Sequence, residues 1–113
     1  MVLTQPVALA LTLVTEAAVA LLIAPRLGAT RLRAAAAATA GSLVTHPLLW
    51  FAVLEFWWRL GDITVPLFEG VVVLVETLAY RLLATKSWRT ALLFSIIANL
   101  ASWGLGFVLQ RFV

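Results

Sequence analysis

Four strongly polar residues, Glu16, His46, Glu76 and Asn99, lie within long apolar stretches of this sequence, and three of them can ionise. Carboxyl and imidazole groups can relay protons, because histidine changes charge near neutral pH and a carboxyl group in apolar surroundings can retain its proton. Two carboxylates and one imidazole can also ligate a divalent transition metal such as Zn²⁺, Fe²⁺ or Mn²⁺. The residue types therefore favour proton or cation binding, with Glu16, His46 and Glu76 as the ligands if a metal is involved.

Other chemistries find little support in the sequence. The chain has no cysteine, which excludes disulfides, thiol catalysis and thiolate metal sites. It contains no HExxH or ExxH pair, no serine in a nucleophile elbow, no Walker motif and no dinucleotide fingerprint. Its single histidine can supply at most one axial ligand to a haem. The sequence therefore indicates no particular cofactor, and an embedded enzyme acting on lipid ranks lowest among the functional hypotheses.

The elements that position these residues are long apolar segments. The chain has 113 residues and a mean hydropathy of +1.08, and only 12% of its residues are charged, against about a quarter in soluble domains. A membrane-spanning helix needs about 20 apolar residues, and four segments of about that length occur, at residues 2–24, 34–58, 66–84 and 90–112. The sequence predicts an all-α membrane protein with a single domain over residues 1–113, folded as an up-down four-helix transmembrane bundle.

The basic residues are distributed unevenly between the two ends of this predicted bundle. Six of the eight lie at the end that contains the first and third connections: Arg26, Arg31, Arg33, Arg81, Lys86 and Arg89. The positive-inside rule then places loops one and three in the cytoplasm and both termini outside, in a prokaryotic-type plasma membrane. Since these residues fix orientation, we expect the lipid bilayer and no nucleic acid as their partner. No basic residue precedes Arg26, so the first segment lacks the signature of a cleaved signal peptide.

Each predicted helix contributes one of the four polar residues at about the same depth, near its middle. A charge at the bilayer centre costs about 3 kcal/mol even on the most lenient scale, so the carboxyl groups should face the bundle interior. Glu69, Glu76 and Tyr80 share one face of the third helix at i, i+7, i+11 spacing. Such a face is what a proton or cation path would need, and Tyr80 therefore joins the candidate site.

Structural roles account well for some of these residues. His46 precedes Pro47, which should bend the helix, and can be a neutral hydrogen-bonded residue. Asn99 belongs to a stripe on the fourth helix that is typical of a helix-packing or dimer face, formed by Ser95, Asn99, Ser102 and Gly106.

Two further acids lie near predicted helix ends. Glu55 stands four residues before Arg59, a spacing that favours a local ion pair. Glu69 falls in the first turn of the third helix, where the helix dipole favours an acid. Both are therefore interpreted as end effects and set apart from the midplane layer.

In outline the chain is similar to the small multidrug resistance exporters. The resemblance rests on the length, the four predicted helices and a glutamate in the middle of the first helix, within Leu13-Val14-Thr15-Glu16. The chain departs from that pattern in its third helix, in its strong charge bias, and in having His46 and Glu76. The resemblance serves as an analogy for overall architecture and assigns no family.

Two hypotheses follow for function. In the first, this is a small transport-type protein of the inner membrane, in which Glu16 and Glu76 bind a proton or cation and His46 and Asn99 complete the site. Four helices enclose little volume, so this hypothesis predicts a homo-oligomer. In the second, the chain is an accessory or assembly subunit of a larger membrane complex, and its polar residues only join helices.

Overall fold

The computed structural model describes residues 5–112 of the chain, of which 93% are helical, and no strand occurs among them. The α-helices are α1 (Gln5–Ile23), α2 (Arg31–Leu60), α3 (Thr64–Leu83) and α4 (Trp88–Phe112). Short 3₁₀ turns follow α1 at Ala24–Leu27 and α2 at Gly61–Ile63. The prediction of an all-α fold is confirmed. The predicted start of the first segment, at residues 2–4, lies outside the described part of the chain.

The helix ends differ from prediction by a few residues. After Ile23 the chain tightens into a 3₁₀ turn that contains Pro25, and Gly28 closes this turn with a φ of 73°. This left-handed backbone is one that glycine adopts without steric cost. Helix α2 begins at Arg31 rather than at residue 34, because neither Leu32 nor Arg33 disfavours helix. Helix α4 begins at Trp88, two residues earlier than predicted.

Pro47 lies inside α2, and the helix continues through it to Leu60. Proline has no backbone N–H, so the carbonyl of Leu43 loses its usual donor four residues later. Such interruptions are tolerated in membrane helices where neighbouring groups accommodate them. Position 47 lies just after the polar residues at 45 and 46, so the irregularity occurs at the level of the candidate site.

The four helices form a bundle in which each helix packs against two neighbours. Helix α1 packs against α2 and α4, and α3 packs against the same two helices. The connections are short, at residues 24–30, 61–63 and 84–87, so consecutive helices run in opposite directions. This arrangement brings the middle of every helix to the centre of a body that measures 41 × 28 × 18 Å.

The apolar core fills only one end of the body. It consists mainly of alanines near the first and third connections, with Tyr80 and Phe94 stacked at 5.0 Å between ring centroids. Small residues let helix backbones approach closely. The buried residues of this inner core are Ala20, Ala24, Ala34, Ala37, Ala38, Tyr80, Ala91 and Phe94. The end with the six basic residues is therefore closed by packing.

The outer surface is apolar, as a lipid-facing surface would be. Leu22 is 76% exposed, Leu54 73% and Leu82 71%. Three helical stretches are long and apolar enough to cross a membrane: Pro6–Leu27, Arg31–Leu83 and Trp88–Leu109. The second of these includes both α2 and α3 with the turn between them. These features suggest a membrane protein.

Candidate functional site

The centre of the site is a pair of buried carboxyl groups, Glu16 on α1 and Glu76 on α3. Each residue is only 1% exposed, and the two carboxyl groups lie close enough to interact directly. A carboxylate can only accept hydrogen bonds, so a bond between two carboxyl groups requires a proton on one of them. The arrangement is therefore an acid pair that a shared proton would join across two helices which are not consecutive in the chain.

Helix α2 supplies one hydroxyl group to each member of the pair. The Ser42 Oγ donates to Glu16 Oε1 at 2.8 Å, and the Thr45 Oγ1 lies 2.7 Å from Glu76 Oε2. Residues three apart lie on the same helix face, which is how one helix reaches both acids. Both hydroxyl-bearing residues are buried. Hydrogen bonds of this kind stabilise a negative charge that the surrounding apolar side chains cannot.

Helix α4 supplies an amide. The Asn99 Nδ2 donates to Glu76 Oε1 at 3.0 Å and to the Ser95 carbonyl at 2.8 Å. Ser95 in turn donates from its Oγ to the Val73 carbonyl on α3 at 2.7 Å. The polar stripe of α4 therefore packs against other helices of the same chain. Of the two roles expected for this stripe, a helix-packing face or a dimer face, this is the first.

Gly41 allows α2 to approach Glu76 closely. A Cβ atom added at this glycine would lie 3.1 Å from Glu76 Cγ and 3.5 Å from Ala79 Cβ. The first distance is shorter than ordinary van der Waals contact. The absence of a side chain at residue 41 thus determines how near the Glu76 side chain lies to α2.

The acid pair forms the floor of a partly open cavity of about 360 Å³, a volume within the range typical of small-molecule sites. The cavity extends from the pair towards the chain termini, the end opposite to the inner core. Its wall is mostly apolar, and no Lys or Arg occurs among the described residues that line it. Further polar groups and aromatic rings in the wall include Thr12, His46, Trp50, Glu69, Ser102 and Trp103.

His46 lies in the cavity wall but does not hydrogen-bond to either carboxyl group. Its Nε2 accepts a hydrogen bond from Trp50 Nε1 at 3.0 Å, so this nitrogen carries no proton and the ring is held towards α2. No group of three His, Asp or Glu residues that could hold a metal ion occurs within residues 5–112. The suggested metal site of Glu16, His46 and Glu76 therefore finds no support in this arrangement.

Tyr80 lies on the other side of the acid pair from the cavity, within the inner core. Its ring is fully buried and stacks on Phe94 with an interplanar angle of 10°. Its hydroxyl has no hydrogen-bond partner among the described residues. Tyr80 therefore continues the Glu69–Glu76 face of α3 below the pair, as its spacing predicts, but it does not line the cavity.

The two acids that were set apart differ in position. Glu69 lies beyond the first turn of α3, which begins at Thr64, and it lines the cavity together with Glu76, so its interpretation as an end effect is wrong. Glu55 is exposed, as an end residue would be. Its expected ion pair with Arg59 does not occur, since no ion pair forms among the residues described, and the Arg59 guanidinium lies over the Trp58 ring at 4.9 Å.

Sequence reasoning assigned neither Ser42 nor Thr45 to the site. Serine and threonine are common in membrane helices, where they often bond to the backbone of their own helix, so their presence carries little signal. The useful signal was their spacing. About one turn of α2 holds both the glycine that lets the helix approach Glu76, Gly41, and the two hydroxyl groups of Ser42 and Thr45.

No family model, curated protein or solved structure matches this chain. The resemblance to the small multidrug resistance exporters thus gains no support from these comparisons.

Proposed function

We propose that the chain is a small transport-type membrane protein that takes up a proton or a monovalent cation at the Glu16–Glu76 pair. The supporting observation is the position of this buried acid pair at the floor of a cavity. Ionisable residues inside a membrane are rare and mark ion or proton pathways. The cavity gives such a pathway one accessible side, and the inner core closes the other.

The charge of the site argues for a monovalent ligand. The two carboxyl groups share a proton, so the pair carries one negative charge. Its direct partners, Ser42, Thr45 and Asn99, are neutral hydrogen-bond donors. One further proton or one monovalent cation from the cavity would neutralise the pair. A divalent metal would need ligands beyond the two carboxyl groups, and His46 is turned to Trp50.

The proposal includes an orientation in the membrane. All four α-helices cross the bilayer, with both termini outside and loops one and three in the cytoplasm of a prokaryotic-type cell. The cavity then opens to the outside and the inner core lies on the cytoplasmic side. Transport requires the inner core to open in a second state, and a second copy of the chain or another membrane protein is the expected partner for that step.

The decisive experiment compares two glutamates in purified, reconstituted protein. Proton flux is measured with a pH-sensitive dye trapped in vesicles, and methylammonium flux is measured in parallel. We expect Glu76→Gln to reduce flux to the level of empty vesicles. We expect Glu55→Gln, which changes an exposed acid outside the cavity, to retain wild-type flux. Equal flux in wild type and Glu76→Gln would contradict the transport proposal.

The second candidate function is an accessory subunit, and a specific observation favours it. Hydrogen bonds between side chains join α1 to α2 and α2 to α3 through the acid pair, and Ser102 joins α4 to Thr12 of α1 at 3.3 Å. Such a ring could serve only to hold the helices together. This candidate predicts no flux from the purified chain, together with a stoichiometric membrane partner that Asn99→Leu releases.

A further inference from the structure

The Thr45 hydroxyl lies between two acceptors. Its Oγ1 is 2.7 Å from Glu76 Oε2 and 2.9 Å from the Gly41 carbonyl oxygen. A hydroxyl group has one proton to donate and two lone pairs to accept with. It therefore cannot donate fully to both oxygens, and the protonation of Glu76 decides which oxygen receives the hydrogen bond.

Two hydrogen-bond patterns fit these positions without movement of heavy atoms. When Glu76 is ionised, Thr45 donates to Oε2, and this charge-assisted bond is stronger than a bond to a carbonyl. When Oε2 carries a proton, Glu76 donates to Thr45 Oγ1, and the hydroxyl proton turns to the Gly41 carbonyl. Thr45 is satisfied in both states.

We propose that Thr45 is a positioning residue that reverses its hydrogen bond with Glu76 when that carboxyl group binds or releases a proton. It thereby holds the Glu76 side chain in one place through the protonation cycle. This inference rests on the proposed function, because it assumes that the pair takes up and releases protons. It adds to that function a specific residue on α2 whose removal changes the proton affinity of the site.

The other direct partner from a neighbouring helix cannot take this role. Asn99 contacts Glu76 through its Nδ2, and an amide NH₂ group donates but does not accept. The remaining ionisable groups around Glu76 are Glu16 on α1, His46 on α2 and, on α3, Glu69 and Tyr80. Among the described residues that line the cavity, α4 contributes no ionisable one.

Three variants separate this role from a purely structural one. Thr45→Val removes the hydroxyl with little change in shape, and Thr45→Ser retains the hydroxyl. Thr77→Val is the matched control, because Thr77 is also a buried threonine, next to Glu76 in sequence, whose Oγ1 donates to the Val73 carbonyl at 2.7 Å. All three are made in the full chain and reconstituted in lipid.

The readout is the infrared C=O stretching band of protonated carboxyl groups, followed as the pH is stepped. The Glu76 contribution is the part of this band that disappears in Glu76→Gln. The charge-assisted bond to the ionised form is the stronger of the two that Thr45→Val removes. We therefore expect the midpoint of the Glu76 band in Thr45→Val to move to higher pH by about one unit, equivalent to about tenfold in proton affinity. We also expect the band of the protonated form to shift in frequency.

Thr45→Ser should restore both the midpoint and the frequency, and Thr77→Val should change neither. The inference is wrong if Thr45→Val titrates as wild type does, if Thr45→Ser behaves as Thr45→Val does, or if Thr77→Val shifts the midpoint equally. Failure of the proposed function itself has a different signature. In that case the wild-type protein shows no titrating band that depends on Glu76.

Discussion

Glu76 receives more hydrogen bonds than its partner in the acid pair. It accepts from Thr45 on α2 and from Asn99 on α4, whereas Glu16 accepts from Ser42 alone among these neutral donors. Donors stabilise a negative charge. The shared proton is thus better placed on Glu16, and the charge on Glu76. The two acids are chemically alike, but their surroundings give them different roles.

The contact between Gly41 and Glu76 gives a prediction at the scale of single residues. Gly41→Ala places a methyl group 3.1 Å from Glu76 Cγ, so the carboxyl group must shift by a few tenths of an ångström. We expect several-fold lower proton flux in vesicles. Alanine also favours helix over glycine by about 1 kcal/mol. This gain offsets the cost of the close contact, so thermal stability in detergent should change little.

The matched control is Gly70→Ala on α3. A Cβ atom there meets no other atom within 4 Å, and Gly70 does not line the main cavity. This variant should keep wild-type flux and gain slightly in thermal stability. Equal flux in Gly41→Ala and wild type would show that the close approach has no functional consequence.

At the scale of elements, the position of each polar residue along its helix could be predicted from the sequence, but the rotation of each helix about its own axis could not. A helix rises about 1.5 Å per residue, so the bounds of the four apolar segments locate Glu16 and Glu76 near mid-helix. Successive side chains point about 100° apart, and packing decides which face turns inwards. The alanines of the inner core fix that rotation. Spacing shows that Glu69 shares a face with Glu76 and that Trp50 is within reach of His46, but it does not show which of these faces borders the cavity.

The orientation of these elements gives a second prediction. The chain has no cysteine, so single cysteines can be introduced without a background signal. Asp62 and Ser87 are both exposed, in the second and third connections. If the six basic residues face the cytoplasm, an impermeant maleimide should label Asp62→Cys in intact cells and Ser87→Cys only after permeabilisation. Labelling of both positions in intact cells would argue against a single orientation.

The whole molecule is divided into a closed half and an open half. Alanines, Tyr80 and Phe94 close the end with the basic connections, and the cavity occupies the other half with the acid pair between them. A structural subunit would gain nothing from such a cavity, because unfilled space weakens dispersion contacts. A binding protein needs it. This asymmetry is the strongest reason to prefer the transport proposal over the subunit proposal.

Two glycines on α4 allow the cavity to be tested as a route. Gly106 lines the cavity, whereas Gly104 does not, and an added Cβ meets no other atom within 4 Å at either position. The first carbon of a leucine side chain therefore meets no packed atom at either site. Gly106→Leu should reduce proton and methylammonium flux several-fold, because its side chain fills part of the space above the acid pair. Gly104→Leu should retain the flux of the wild-type protein, and circular dichroism should show the same helix content in both variants. If both variants transport equally well, the ligand does not reach Glu76 through this cavity, and entry past Tyr80 from the end with the basic connections becomes the route to examine.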